Sequence, residues 1–326
     1  MSAHLAVAIV AETPARALEQ ARSLPPAVSL VEYRLDMMRS PDVALLAAQT
    51  PIPAIFTCRS QSQGGGFEGT EVERLRILRQ GLETGHLVDI EMETLPLLAD
   101  AIPEPDKIIG SQHDFGGMLG DWAALEMKMR GLGAGVVKLV GMARNEDDAL
   151  LPAAWLSRAG APGVGIAMGA AGVATRLLAP RFSRAFLTFA SLKKASAPGQ
   201  IHVREMIELY GFQRIANAHP LLIMLTPDSP QWVQVQRYRQ AMTARFTRGR
   251  PWLLPIPASE LHPGLMLALR LAGATGVFRL PEVRVAPELL AYGFGIQDYA
   301  WDFSPTKRGN PPHQPDPDEV MTFLAT

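Results

Sequence analysis

The sequence predicts an α/β protein, a (β/α)8 TIM barrel followed by a small α/β domain. Three observations carry that prediction. A short apolar run followed by an amphipathic segment recurs eight times between Leu5 and Phe212. The runs are rich in Val, Ile, Leu and Phe, as parallel strands covered on both faces are. Right-handed crossovers in that number close on themselves. A doubly wound open sheet is the alternative; it asks for a glycine-rich turn straight after the first strand, and Val10-Ala11-Glu12-Thr13 is not one. Gly131-x-Gly133-x-Gly135 precedes its strand instead of following it.

The strands are expected at 5–10, 29–35, 54–58, 87–91, 107–111, 135–140, 163–168 and 185–190. Helical patterns follow them. That at 13–24 has a proline at its start, that at 70–83 carries charges on one face, and one spans 121–130. Another, at 145–159, is opened by an Asn cap followed by acids. Beyond Phe212 the rhythm loosens into a second unit, with strands at 221–225, 251–257 and 276–280 and helices at 231–247 and 259–272. The expected domains are 1–214, 215–302 and a tail at 303–326, where five prolines among polar residues favour extended chain.

Composition narrows the function. With 326 residues, 48% hydrophobic and 19% charged, the chain builds a core and is neither fibrous nor disordered. The balance of 31 Lys+Arg against 32 Asp+Glu gives no general attraction to nucleic acid or an anionic membrane. A charged partner must therefore be met at a local site. The single cysteine, Cys58, excludes an intramolecular disulfide and a Cys-rich metal site, and fits a cytoplasmic location. No signal peptide and no run of about 18 apolar residues is present, so no membrane span is expected.

In such a barrel the chemistry sits at the carboxyl ends of the strands. Strand two ends Val31-Glu32-Tyr33-Arg34, and alternation aims Glu32 and Arg34 at one side. Strand three ends Thr57-Cys58-Arg59, strand four Asp89-Ile90-Glu91, strand five Ser111-Gln112-His113-Asp114, and strand six carries Lys138 among valines and a leucine. A lysine inside an apolar strand is paired, reaches water, or is neutralised by a lowered pKa. A neutral amine is a nucleophile that forms Schiff bases with carbonyls; the alternative is a salt bridge to a neighbouring carboxylate. His113 can take and return a proton, or be a satisfied core histidine. Glu91 can orient that imidazole, or pair with Lys138 or Arg59. Arg34, Arg59 and Arg176 at the same mouth point to an anionic substrate such as a carboxylate, unless they neutralise Glu32 and Glu91. Gly64-Gly65-Gly66 reads equally as a lid over ligand or as a turn.

The segments Glu32-Tyr33-Arg34-Leu35-Asp36, Thr57-Cys58-Arg59-Ser60 with Gln63-Gly64-Gly65, Asp89-Ile90-Glu91, and Ser111-Gln112-His113-Asp114-Phe115 come in a distinctive order. Val137-Lys138-Leu139, Met168-Gly169 with Thr175-Arg176, Leu187-Thr188-Phe189 and Ser196-Ala197-Pro198-Gly199-Gln200 complete it. The series resembles the type I 3-dehydroquinate dehydratases of the shikimate pathway, over about two thirds of the chain. The resemblance implies Lys138 as the Schiff-base lysine for the C3 ketone of 3-dehydroquinate, His113 as the base at C2 and acid for the C1 hydroxyl, and Glu91 as the carboxylate that orients it. It implies Arg176 for the substrate carboxylate, Glu32, Arg34, Arg59, Ser196 and Gln200 for ring hydroxyls and lid, Met168 against the ring, and no metal or organic cofactor. Two departures are Thr175, where the family has Ser, and Phe182-Ser183-Arg184, where it has a Gly-Ser pair. Other readings of the same residues are an aldolase-type Schiff-base barrel acting on another oxo-acid, and a silent scaffold whose second unit binds partners.

In the second unit, Trp252-Leu253-Leu254-Pro255-Ile256-Pro257 and Gly276-Val277-Phe278-Arg279-Leu280-Pro281 resemble the substrate-binding half of a shikimate dehydrogenase. The Ser-x-Ser pair of that family has no clear counterpart in Thr226-Pro227-Asp228-Ser229-Pro230. Its lysine is replaced by Glu282-Val283, and too few residues remain for its nucleotide-binding domain. The resemblance implies a degenerate unit without NADP-dependent activity, retained for packing, for a homodimer contact or for binding another enzyme.

Overall fold

The computed structural model describes residues 3–102, 104–193, 195–228, 230–245, 249–280 and 282–291, so the tail expected at 303–326 lies outside the described residues. Eight strands form one parallel sheet: β1 (His4–Ile9), β2 (Leu30–Arg34), β3 (Ala54–Thr57), β4 (Leu87–Glu91), β5 (Ile108–Asp114), β6 (Val136–Met142), β7 (Gly163–Met168) and β8 (Leu187–Ser191). Their order is β7-β6-β5-β4-β3-β2-β1-β8, with β1 paired to both β2 and β8. At the seam between β7 and β8, Gly163 bridges Ala185 and Phe186 N donates to Gly163 O at 2.8 Å. The sheet is thus a nearly closed (β/α)8 barrel, not an open one.

Period two decides what fills it. Leu30, Ile55, Ile109, Val136, Val164 and Leu187 point inward and pack together. Two residues further along, the same face reaches Glu32, Thr57, Ser111 and Lys138, all buried. An apolar floor therefore lies beneath a polar mouth.

Helices α1 (Pro14–Arg22), α2 (Val43–Gln49), α3 (Glu71–Leu82), α4 (Trp122–Gly131), α5 (Leu150–Ser157), α6 (Val173–Leu178) and α7 (Val203–Glu208) cover the outside. Thr13 and Asp121 cap α1 and α4, and Thr70 with Glu73 forms a capping box on α3. Two expectations need correction. The link from β4 to β5 is 3-10 helical (Leu95–Ala101, Pro105–Lys107) and not α-helical. The helix expected at 145–159 starts as a 3-10 turn, Glu146–Ala149, and becomes α-helical where Pro152 falls in the first turn, a position that tolerates its missing N–H. Arg184, the family departure, is buried at the seam: it donates to Ala161 O at 2.7 Å, pairs with Glu126 and lies over the Trp155 ring. It therefore acts on packing around β8.

The second unit begins after α8 (Phe212–Ile215) and contains β9 (Leu221–Thr226), α9 (Trp232–Arg245), β10 (Trp252–Pro257), β11 (Glu260–Leu261), α10 (Pro263–Leu271), β12 (Gly276–Arg279) and β13 (Arg284–Val285). Its parallel sheet runs β10-β9-β12. The helix expected from 259 starts at Pro263, because Glu260 and Leu261 pair with Arg284 and Val285 instead. The unit is fastened to the barrel. Glu146 Oε1 accepts from Ser259 N and Oγ at 2.7 and 2.8 Å, and Arg181 Nε donates to Ala272 O at 2.7 Å. One apolar cluster contains Ala149, Ala153 and Leu156 of the barrel with Leu265 and Leu269 of α10.

Candidate active site

Lys138 enters the mouth from the middle of β6, and its ammonium does not stand alone. Nζ donates to Asp89 Oδ2 at 2.9 Å, lies 4.0 Å from Glu32 Oε1, and sits 4.6 Å from the centroid of the Phe189 ring. Asp89 Oδ1 in turn accepts from Arg59 Nη2 at 2.7 Å and Ser111 Oγ at 2.6 Å. Burial by itself would raise the Asp89 carboxyl, but the charges of Arg59 and Lys138 hold it far below the usual carboxylate range. Glu32 is fixed from the other side by Thr57 Oγ1 at 2.8 Å.

His113 comes from the end of β5, one strand away. Its Nδ1 lies 3.2 Å from Gln63 Oε1, which also accepts from the His113 backbone N–H at 3.1 Å. Since Oε1 is an acceptor, Nδ1 carries the proton and Nε2 keeps a lone pair. Burial, then the positive charges of Arg59 and Lys138, push the imidazole well below its ordinary value. The ring is a neutral base.

Gln63 is held by the turn that the glycine run makes. Gly64 has φ +76, and a Cβ there would stand 2.4 Å from Phe115 Cζ. A Cβ on Gly65 would stand 2.0 Å from Arg59 O. The run is required for close approach, and Gly66 N closes it by donating to Asp36 Oδ2 at 3.0 Å.

Glu91, expected to orient His113, is engaged elsewhere. It accepts from Ser60 N at 2.9 Å and Arg74 Nη1 at 2.6 Å, with Arg59 Nη1 at 3.4 Å. The physical reason is Arg74, which α3 sends inward to a buried position, so Glu91 belongs to the wall that braces Arg59 and the imidazole partner is Gln63. Gln63 was legible only as part of a motif, and Asp89 only as its neighbour. Neither type announces a role, because a glutamine or aspartate acquires one from what faces it.

The remaining expected residues line one cleft with Lys138 and His113: Glu32, Arg34, Arg59, Met168, Arg176, Ser196 and Gln200. Arg34 is bidentate to Asp36 at 2.9 and 2.6 Å. Ser196 and Gln200 bond each other, Ser196 N donating to Gln200 Oε1 at 2.7 Å. Arg176 differs from every other cation here. It is buried, its only described hydrogen bond is Nη2 to Pro198 O at 3.2 Å, its Nε has no partner, and burial lowers its pKa to about 10. Thr175 holds it in place, its hydroxyl donating to Gly172 O at 2.8 Å and accepting from Ala167 N at 3.2 Å. A wider groove of about 880 Å³ runs along α7 to α9, where Arg214 and Arg239 stack on Trp252, but neither lysine nor histidine lines it among the described residues. Lys138, His113 and Arg176 line the narrower cleft instead.

The chain is similar to several known proteins. The chain is 30% identical over 210 residues to the 3-dehydroquinate dehydratase of Methanocaldococcus jannaschii, covering 62% of this chain and 95% of that one. It is 32% identical over 199 residues to the chloroplastic bifunctional 3-dehydroquinate dehydratase/shikimate dehydrogenase of Arabidopsis thaliana, covering 57% of this chain but only 33% of that protein. The dehydroquinate dehydratase and shikimate dehydrogenase portion of S. pombe AroM superimposes with a TM-score of 0.55 at 21% identity, over 86% of this chain and 57% of that one. That last likeness is one of fold, and it extends past the barrel into the second unit. The type I 3-dehydroquinase family model matches residues 5–217, the whole barrel with its lysine, histidine and arginine, and the chain belongs to that family.

Proposed function

We propose that the barrel mouth dehydrates 3-dehydroquinate to 3-dehydroshikimate in the shikimate pathway, through an imine on Lys138. The observation that carries the reading is a buried lysine, a neutral histidine and a carboxylate-free buried guanidinium lining one cleft. Arg176 receives the substrate carboxylate, the group its buried charge lacks. Lys138 attacks the C3 ketone, and water leaves. His113 Nε2 removes the C2 proton, the electron pair flows into the imine, and the resulting enamine expels the C1 hydroxyl with the proton that His113 returns. Hydrolysis frees the lysine. Glu32, Arg34 and Arg59 face the ring hydroxyls, Met168 packs on the ring, and Ser196 with Gln200 closes the lid. The imine is itself the electron sink, so the reading needs no metal or organic cofactor.

The domain division at 214 belongs to the same proposal, with the second unit a degenerate shikimate dehydrogenase-like unit that has no NADP-dependent activity. A cytoplasmic location and a homodimer complete it. Among the described residues no helix is long and apolar enough to cross a membrane.

The test is the intact mass after incubation with 3-dehydroquinate and borohydride, followed by peptide mapping. A reduced adduct on Lys138 is expected, and a folded protein that yields none overturns the reading. Lys138→Ala should abolish turnover. His113→Ala should keep the adduct but lose about two to four decades of rate.

A further inference from the structure

We infer that Asp89 is the counter-ion of the Lys138 imine, holding it in the protonated form that the elimination requires; the inference rests on the imine reading above. The geometry carries it. Asp89 Oδ2 is the one carboxylate oxygen within hydrogen-bond distance of Nζ among the described residues, at 2.9 Å, whereas Glu32 stands off at 4.0 Å. Both Asp89 and Lys138 are buried, so water does not substitute for the pair.

The proton count explains why one contact serves two states. An ammonium and a ketone give a protonated imine and water: the C=N bond forms, the C=O bond breaks, and two of the three protons on Nζ leave with the oxygen. The remaining proton stays on Nζ, along with the positive charge. Asp89 therefore faces a cationic N–H donor before and after the step, at an unchanged place. Nζ loses its charge only in the enamine, while His113 holds the proton taken from C2, and regains it when the hydroxyl departs. A neutral imine lacks the charge that draws the electron pair, so an imine left unprotonated is a far poorer sink.

Asp89 is also kept from over-stabilising the cation. Its other oxygen is occupied by Arg59 at 2.7 Å and Ser111 at 2.6 Å, which spread the negative charge away from Nζ. The charged and titratable groups around the pair are Glu32 and Arg34 from β2, Arg59 after β3, Glu91 from β4 and His113 from β5. Of these, Glu32 alone shares the sign of Asp89 and the proximity to Nζ.

The experiment compares wild type, Asp89→Asn and Glu32→Gln for borohydride adduct mass and for the pH profile of kcat. In Asp89→Asn the adduct on Lys138 should still form near neutral pH. The basic limb of its profile should move to lower pH by about one to three units, the shift an opposite charge at this range produces; Glu32→Gln should move it less. A residue that only supports the fold lowers the rate without displacing that limb. An unshifted limb in Asp89→Asn, with the adduct present in wild type, overturns the counter-ion role alone. No adduct in wild type overturns the imine reading and this one together. Should Asp89→Asn not fold, cyanoborohydride trapping of the wild type, which reduces only protonated imines, is followed against pH. It should persist to at least about one unit above the pH at which the same ketone's imine with a simple alkylamine loses its proton. Coincidence of the two midpoints overturns the inference.

Discussion

The imidazole of His113 is oriented by an amide: Gln63 Oε1 lies 3.2 Å from Nδ1 and 3.1 Å from the same residue's backbone nitrogen. A carboxylate in that position would add negative charge beside the ring and raise its pKa. The amide fixes the tautomer and adds no charge. Gln63→Ala should therefore lower kcat by about tenfold to a hundredfold, the cost of losing a partner that aims a histidine, with little change in KM. Gln63→Glu should keep the orientation but move the acid limb of kcat/KM to higher pH. The limb follows because the base works only while neutral, and a raised pKa protonates it sooner as pH falls. A pH–rate series on both variants checks the pair of outcomes.

His113 also makes stability depend on pH. In the native protein its pKa is lowered by burial and by Arg59 and Lys138, while in the unfolded chain it titrates near 6.5. The sign follows from proton uptake. Below about pH 6.5 the unfolded state binds a proton that the native state refuses, so this stability is complete above that pH and is lost as pH falls toward the folded value, by up to about 1.4 kcal/mol per unit. Urea denaturation at about pH 7 and about pH 5.5 should show wild type losing more stability than His113→Asn. Equal losses would mean the imidazole is protonated in the native state.

Arg176 exchanges stability for binding. A buried guanidinium with one backbone acceptor and an unsatisfied Nε is costly in the empty protein. Arg176→Met should raise the melting temperature of the unliganded protein. The same change should reduce kcat/KM by roughly tenfold to a hundredfold or more, the worth of charge-assisted hydrogen bonds to an anion, mostly through KM. Arg34 and Arg59 do not predict this combination, since Asp36, Asp89 and Glu91 already neutralise them.

The barrel was legible because two short-range rules fix it. Apolar runs covered on both faces identify parallel strands, and period two assigns Glu32, Asp89, Ser111 and Lys138 to the interior without knowledge of the closure. Residue type then singled out Lys138, since a lysine among valines and a leucine demands an explanation, and His113 beside it; Arg176 stood with Arg34 and Arg59 until the resemblance set it apart. What stayed hidden were the pairings. The charges of α3 read as a solvated face, yet Arg74 turns inward and takes Glu91 and Thr94. Which of Glu91 and Gln63 meets His113 depends on how the turn after β3 folds back, a distance of 50 residues along the chain. The 3-10 form of the link between β4 and β5 was hidden too, since apolar composition alone does not separate a 3-10 from an α-helical turn.

Glu146 supplies the last prediction, because it joins the two units. One carboxylate oxygen, Oε1, accepts from both the backbone and the hydroxyl of Ser259, and the residue itself is buried. The neighbouring Asp147 accepts from Gly264 N at 2.5 Å, so a single 3-10 turn of the barrel anchors the entry to α10. Glu146→Ala leaves the Ser259 N–H without its partner inside that contact. A loss of about 1–3 kcal/mol is expected, and amide exchange at Ser259 and along α10 should accelerate more than exchange in β5 and β6. Borohydride trapping at Lys138 should be retained, because the turn lies beyond β6 and holds none of the cleft residues. If exchange accelerates equally in the barrel strands, the second unit is an integral part of the barrel's cooperative fold and not a body docked on it.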